Sequence, residues 1–366
     1  MTAPSRTLLS VFATFAVGGP QVRFAAIANR FGARYRHMIV AMDGATAARE
    51  RLTPDLDVTF PATEIRKGHT LANRRSFRAK LHEWRPDVLV TSNWGSIEWA
   101  LANLPRLCNH IHIEDGFGPE EQTTQLRRRV LTRRLVLARS TVIVPSRNLE
   151  RIATGIWGLS SRRVIYIPNG IDLARFARPQ THSVTTAFPG SGPVIGTVSA
   201  LRLEKNFPRL LRAFRLAVQQ VPARLVLVGD GSERPALERL ATELGIADRI
   251  HFAGHVAAPA PFYGTFDLFA LSSDTEQMPI SVIEAMAAGL PVVSTDVGDV
   301  RMMLAQENAP FVGPTDDAAL ASSLLTLLRD PSLRRQVGDA NRARAARDYD
   351  HETMFQAYAA LFDGRR

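Results

Sequence analysis

One cysteine, Cys108, stands in 366 residues. A single thiol excludes an intramolecular disulfide and suits a reducing compartment. Lysine is almost as scarce, with only Lys67, Lys80 and Lys205. That leaves little room for a lysine-bound pyridoxal phosphate, and so argues against a sugar phosphorylase. No stretch reaches the roughly 18 consecutive apolar residues that a membrane-spanning helix needs. The full Gly-x-Gly-x-x-Gly fingerprint is missing. So is the acidic residue that ordinarily closes the second strand, with Asp43-Gly44 the nearest candidate. A nicotinamide dehydrogenase is therefore disfavoured. No helix-turn-helix or zinc spacing is present, and no aromatics interleave the basic stretches, so nucleic acid is not an expected partner. There is no internal repeat and no low-complexity tract.

The chain exceeds one ordinary core, so two domains are expected. A hydrophobic content of 45% with 22% charged residues is globular. The apolar N-terminal stretch ending at Gly18-Gly19-Pro20 reads as a first buried strand rather than a signal peptide. Charge is uneven. Residues 1–180 carry 27 Lys/Arg against 14 Asp/Glu, whereas residues 181–366 carry 18 against 21. Something acidic is expected to approach the first half.

Strands alternate with helices. Apolar runs at 8–15, 37–41, 87–91, 109–113, 141–145 and 164–167 read as strands of a first parallel sheet. Residues 176–192, rich in Ser/Thr, Pro and Gly, read as a linker. Alternation resumes with strands at 194–198, 224–228, 250–252, 268–270 and 292–294. The expected fold is α/β, with two Rossmann-like domains at 1–180 and 181–347. A last helix, residues 348–366, is expected to cross back to the first domain.

The stretch 273–294 carries two carboxylates, Glu276 in a loop and Glu284 in a helix, before a small-residue run. Both can face the ligand crevice of an open sheet, and a carboxylate can hold a vicinal diol. Upstream, Arg202 and Lys205 follow a strand. Cations at a helix start oppose its macrodipole, so a diphosphate ligand would justify them. Gly229-Asp-Gly231 permits close backbone approach to a ligand. Gly254, followed by His255 and Val256, could underlie a flat base. The helix beginning near Pro279 can attract phosphate. Gly18 and Gly19 form a turn where backbone amides could meet a phosphate.

In the first half, His110, His112, Glu114 and Asp115 form the densest polar cluster. A carboxylate or imidazole there could take a proton from an acceptor hydroxyl. Metal ligation is the rival reading, although His110 and His112 share one strand face. Asp55-Leu-Asp57 and Asp348-Tyr-Asp350 read as surface turns. Arg127, Arg128, Arg129, Arg133, Arg134 and Arg139, interleaved with Leu126, Val130, Leu131, Leu135 and Val136, make an amphipathic basic helix. A solvated face and an anionic membrane surface both fit it.

The ordered set Gly18-Gly19, Pro168-Asn-Gly-Ile-Asp172, Arg202…Lys205-Asn206, Gly229-Asp-Gly231 and Glu276-x7-Glu284-Ala-Met-Ala resembles glycosyltransferase family 4. The resemblance covers essentially the whole chain, and the Glu-x7-Glu block with upstream Arg and Lys is its specific part. It implies a GT-B fold and retaining chemistry, with a nucleoside diphosphate sugar as donor and no metal or other cofactor. Arg202 and Lys205 would hold the diphosphate, Glu284 the ribose and Glu276 the transferred sugar. The backbone of Gln277, Met278, Pro279 and Ile280 would cover sugar and phosphate. Gly18 and Gly19 would meet the phosphates, and Gly254 to Val256 would frame the base. His112, Glu114 or Asp115 would lie nearest the acceptor hydroxyl. Met278-Pro279 stands where the family often has Gly, and Pro removes one amide donor. Glu114-Asp115 stands where many members carry a His–Asp pair.

The expected function is transfer of a sugar to a hydroxyl of a glycan or lipid-linked acceptor. It would serve cell-surface polysaccharide or glycolipid synthesis, in the cytoplasm or peripherally at the inner membrane face. A nucleotide-sugar epimerase and a non-catalytic nucleotide-sugar or membrane-surface binder of the same fold are the alternatives.

Overall fold

The computed structural model describes residues 6–66, 68–121, 124–176 and 191–365. The chain forms two compact units, one of residues 1–168 with 354–366 and the other of residues 169–353. These boundaries fall at Pro168/Asn169 and Thr353/Met354, against the expected 180/181 and 347/348. Most of the expected linker, 177–190, lies outside the described residues.

The first unit holds seven parallel strands: β1 (Arg6–Phe12), β2 (Tyr35–Ala41), β3 (Val58–Thr59), β4 (Val88–Ser92), β5 (Asn109–Ile113), β6 (Thr141–Val144) and β7 (Val164–Tyr166). Their spatial order is β3-β2-β1-β4-β5-β6-β7. Alternation along β1 and β4 divides the core. Leu8, Val88 and Val90 face Ile27 and the last helix, through Met354, Phe355, Tyr358 and Phe362. Leu9, Val11 and Leu89 face Phe77, Leu81 and Trp99 on the other side. Sheets covered on both faces read as continuous apolar runs, which is why these strands were visible in the sequence. The last helix runs from His351 to Phe362, and from Met354 onward it belongs to this unit. Each of its buried aromatic anchors contributes about 1.5–3 kcal/mol.

The second unit holds six strands: β8 (Val194–Val198), β9 (Arg224–Val228), β10 (Ile250–Gly254), β11 (Leu268–Leu271), β12 (Val292–Thr295) and β13 (Val312–Gly313). All pair in parallel, in the order β10-β9-β8-β11-β12-β13. The helix Phe207–Val218 covers one face with Leu210, Leu211 and Phe214. The helix Ile280–Ala287 covers the other with Val282, Ile283 and Met286. Within this unit, the entering segment and the departing one pair side by side. Ile171 N–H donates to the Tyr349 carbonyl at 3.0 Å, and His351 N–H to the Ile171 carbonyl at 3.1 Å. Gly170 is required there, because a Cβ would meet the backbone of Asp350 and His351 at 2.7–2.9 Å.

The edge strands β3 and β13, two residues each, were not foreseen. Two residues carry no periodicity. The basic helix, Arg127–Leu137, differs from its expected faces. Arg133 points inward and is 1% exposed, whereas Leu131 and Leu135 point outward at 57% and 65%. Arg133 can be buried because Glu121 takes both its terminal nitrogens at 3.1 and 3.0 Å, and the rings of Trp94, Phe117 and Trp157 enclose its guanidinium at 4.9–5.3 Å.

Candidate functional site

In an open parallel sheet the ligand crevice lies past the strand ends where the order reverses. In the second unit that point falls between the neighbours β8 and β11. The loop after β8 carries Arg202 and Lys205, and the loop after β11 carries Glu276. The two loops are stitched together. Ser272 Oγ donates to the Lys205 carbonyl at 2.9 Å, and Asp274 N–H to the Glu204 carbonyl at 2.9 Å. Asn206 Nδ2 reaches the Asp274 carboxylate at 3.0 Å while its Oδ1 caps the following helix by accepting from Arg209 N–H at 3.2 Å. Asn206 adopts the left-handed conformation, φ 42°, which Asn tolerates better than most residues. Arg209 completes the frame, donating to the Ser272 carbonyl and Asp274 at 2.8 and 2.7 Å.

On this frame Lys205 Nζ donates to Glu276 Oε1 at 2.6 Å, and Ser273 Oγ donates to the same oxygen at 2.7 Å. Their side chains are 22% and 9% exposed. Arg202 is exposed and forms no ion pair among the described residues. One cation is thus held against the carboxylate and a second stands open beside it in sequence.

The Glu276 loop is built into the unit. Gly298, at φ 56°, lets that loop's carbonyls approach closer than any Cβ would allow. Asp299 N–H donates to the Gln277 carbonyl at 3.0 Å, and Asn169 Nδ2 to the Met278 carbonyl at 3.2 Å. Met278 Sδ accepts from Asn169 N–H at 3.3 Å. Met278 is therefore a buried anchor, 6% exposed. In a trans peptide the N–H opposes the preceding carbonyl. With the Gln277 carbonyl accepting from Asp299, the Met278 amide points away from Asp299, whereas Pro279 supplies none. The helix with Glu284 starts at Ile280.

Glu284 Oε2 accepts from the Tyr263 hydroxyl at 2.6 Å. Burial raises the pKa of Glu284, and the Tyr263 hydrogen bond and the Arg175 charge oppose that rise.

The glycine turns have a packing reason of their own. A Cβ at Gly229, φ 144°, would overlap the Ser199 carbonyl, and one at Gly231 would overlap that of Leu201. These glycines admit the neighbouring loop's backbone. Gly254, at φ 73°, accepts from Gly229 N–H at 2.8 Å, and Val256 packs partly buried on the core.

In the first unit the order reverses between β1 and β4. Gly18 is extended, φ −161°, and precedes the helix Gly19–Phe31. Its missing Cβ leaves room for Gln21 Oε1, whose amide nitrogen donates to the Thr14 carbonyl at 2.8 Å. Asn93, φ 56° at the end of β4, accepts from Asp115 N–H through Oδ1 at 2.7 Å. Arg23 clamps Asp115 through two bonds, at 2.6 and 2.8 Å. Burial works against the Arg23 charge, but Asp115 outweighs it and the pKa stands above the ordinary value.

The cluster expected beside an acceptor is mostly internal. His112 and Glu114 are 0% exposed. Thr91 Oγ1 hydrogen-bonds His112 Nδ1 and His110 Nε2, both at 2.8 Å, and His110 Nδ1 meets Ser140 Oγ at 2.7 Å. Glu114 Oε2 lies 3.6 Å from His112 Nε2 and 3.5 Å from Arg133 Nε. Enclosed in this way, His112 and Glu114 present no surface to a substrate. Asp115, 13% exposed, is the member that reaches outward. Among the described residues no three His, Cys, Asp or Glu are grouped to hold a metal ion.

Arg23, Asn93, Asn169 and Tyr263 were not singled out as site residues. Asn169 stood within a quoted motif and Asn93 at a strand end before Trp-Gly, a recognisable turn signal. Arg23 and Tyr263 carry no local signal.

Comparison with known proteins covers both units. The family model "Glycosyltransferase Family 4" matches residues 17–175, and "Glycosyl transferases group 1" matches residues 180–344. The lipopolysaccharide core biosynthesis glycosyltransferase LpsE of Rhizobium meliloti is 32% identical over 175 residues, covering 47% of this chain and 50% of that protein. The D-inositol 3-phosphate glycosyltransferase of Xylanimonas cellulosilytica is 29% identical over 317 residues, covering 77% and 74%. The chain spans about half the length of LpsE and of other curated relatives it matches. Among solved structures, Anabaena HepE in complex with UDP and glucose superposes with a TM-score of 0.80 at 20% identity, over 98% of this chain and 100% of that one.

Proposed function

This chain belongs to glycosyltransferase family 4 and has the GT-B fold, and from the geometry of its second unit we propose that it transfers a sugar from a nucleoside diphosphate sugar to a hydroxyl of a glycan or lipid-linked acceptor. The observation that carries this is the stitched pair of loops at the β8/β11 reversal, which brings Lys205 to 2.6 Å from Glu276. Arg202 and Lys205 supply positive charge to the departing diphosphate. Preorganised charge of this kind can do the work of a metal. Glu276 accepts hydroxyl hydrogens of the transferred sugar, and Glu284 those of the ribose. The Met278 amide, opposite the Gln277 carbonyl, is a further donor to the sugar or phosphate. Family resemblance supports retention of anomeric configuration and activity without a metal. Asp115, clamped by Arg23, is the best-placed carboxylate toward the acceptor, with His112 and Glu114 supporting its loop from within.

The first step is a thermal-shift screen against UDP-, GDP- and ADP-sugars, since a ligand of the native state raises Tm. HepE's bound UDP puts uridine donors first. No rise with any of them contradicts the proposal.

The first unit supports an acceptor carried by an anionic membrane. Arg127, Arg128, Leu131, Arg134 and Leu135 are the exposed residues of one helix and Arg139 is exposed in the turn that follows it, and none of those arginines has a carboxylate partner among the described residues. Each cation near such a surface contributes about 1 kcal/mol, and the two leucines can enter the headgroup boundary. No described helix is long and apolar enough to cross a membrane.

A further inference from the structure

Tyr263 lies on a short helix, Ala260–Tyr263, with no role in the family resemblance. Its ring is 1% exposed and fixed on three sides. Phe269 stacks at 5.9 Å and 20°, while Phe266 and Phe176 meet it edge-on at 5.8 and 5.5 Å. Among all these apolar contacts the phenol carries one short polar bond, to Glu284 Oε2 at 2.6 Å; the Ser281 carbonyl is more distant, at 3.4 Å.

A glutamate has three rotatable side-chain bonds, and fixing them on binding is costly. A hydroxyl mounted on a packed ring fixes the carboxylate in advance. It uses one of about four acceptor positions on the two oxygens, leaving Oε1 and the rest of Oε2 for a ligand. Burial alone would favour the protonated acid, which binds hydroxyls less well as an acceptor. The phenol donor favours the anion, as Arg175 does.

We propose that Tyr263 is the positioning residue for donor recognition, holding the Glu284 carboxylate in the orientation that accepts the ribose hydroxyls. The inference rests on the donor-site assignment of Glu284. It adds a residue that touches no ligand and acts through another.

The test is a double-mutant cycle with Tyr263→Phe and Glu284→Gln. It is read as donor KM and kcat, and as the Kd of whichever of UDP, GDP or ADP binds. The Phe variant keeps the packed ring and removes only the hydroxyl. It should raise donor KM and nucleotide Kd roughly tenfold, the usual scale for a hydrogen bond to a charged group. The change in kcat should be far smaller. In the Glu284→Gln background the same substitution should add less than about twofold, because the coupled partner is already altered. A Phe variant with unchanged KM, or one whose penalty is the same in both backgrounds, overturns the inference while leaving the donor site intact. A Glu284→Gln variant with unchanged nucleotide affinity overturns the donor-site assignment and the inference with it.

Discussion

Lys205 Nζ and Glu276 Oε1 lie 2.6 Å apart, across two loops that leave neighbouring strands of one sheet. The ammonium is neutralised in advance of any ligand, while Arg202 nearby has no carboxylate partner among the described residues. A diphosphate arriving at this site meets one free cation and one that must be shared with Glu276. Removing the carboxylate's charge without its shape, by Glu276→Gln, should therefore cut transfer at least about tenfold while leaving affinity for the free nucleoside diphosphate equal or tighter. Parallel turnover and calorimetric titrations check this; a matching loss of nucleotide affinity would place Glu276 on the diphosphate instead.

The Arg23–Asp115 clamp is a buried pair, with side chains 8% and 13% exposed. Breaking it from the arginine side leaves a carboxylate enclosed. Arg23→Ala should cost about 3 kcal/mol of unfolding free energy, and Arg23→Ala with Asp115→Ala should cost less than the single change. Chemical denaturation of the three proteins decides it, and a double variant no more stable than the single refutes the clamp.

Two glycines separate packing from ligand contact. Gly229→Ala would drive a Cβ into the Ser199 carbonyl at φ 144°, whereas Gly254→Ala at φ 73° meets only Arg234 Nη1, at 3.4 Å. The first should lower Tm far more than the second, with nucleotide absent. Equal melting temperatures would return Gly229 to the ligand-contact role expected from sequence.

Buried histidines set an acid limit. Burial pushes His37 down to about 4 and His110 to about 3. The unfolded chain takes up their protons near pH 6.5 and the folded chain does not. Stability is therefore complete above about pH 6.5 and falls as the pH drops toward 4, by about 3 kcal/mol for His37. His37→Phe should flatten that limb of a Tm-against-pH curve, and an unchanged slope would show that other groups set it.

The exposed arginine–leucine face can be tested by vesicle flotation. Binding to phosphatidylserine-containing vesicles should be present at low salt and weaken as salt screens the surface. It should fail when Arg127, Arg128, Arg134 and Arg139 are replaced by Gln. Flotation that survives this replacement would assign the membrane contact elsewhere.

Much of this architecture was legible because buried parallel strands are unbroken apolar runs. Strands β5, β8 and β9 begin and end where the sequence places them. What escaped was whatever depends on distant partners. Arg133 reads as one more surface cation until Glu121 and three aromatic rings surround it. His112 and Glu114 read as substrate-facing until the structure encloses them. The compact units divide before the Ser/Thr- and Pro-rich stretch because Asn169 is bonded to Met278 and Ile171 to the Tyr349–His351 segment. Composition registers neither contact.

The most direct test of the whole account is nucleoside diphosphate release from the sugar donor found by thermal shift, measured for the wild-type protein and Lys205→Ala with folding matched by melting temperature. Loss of one preorganised charge at the leaving group should lower turnover about a hundredfold or more. Turnover within a few-fold of wild type would contradict a diphosphate held by Lys205, and with it the assignment of this site to sugar transfer.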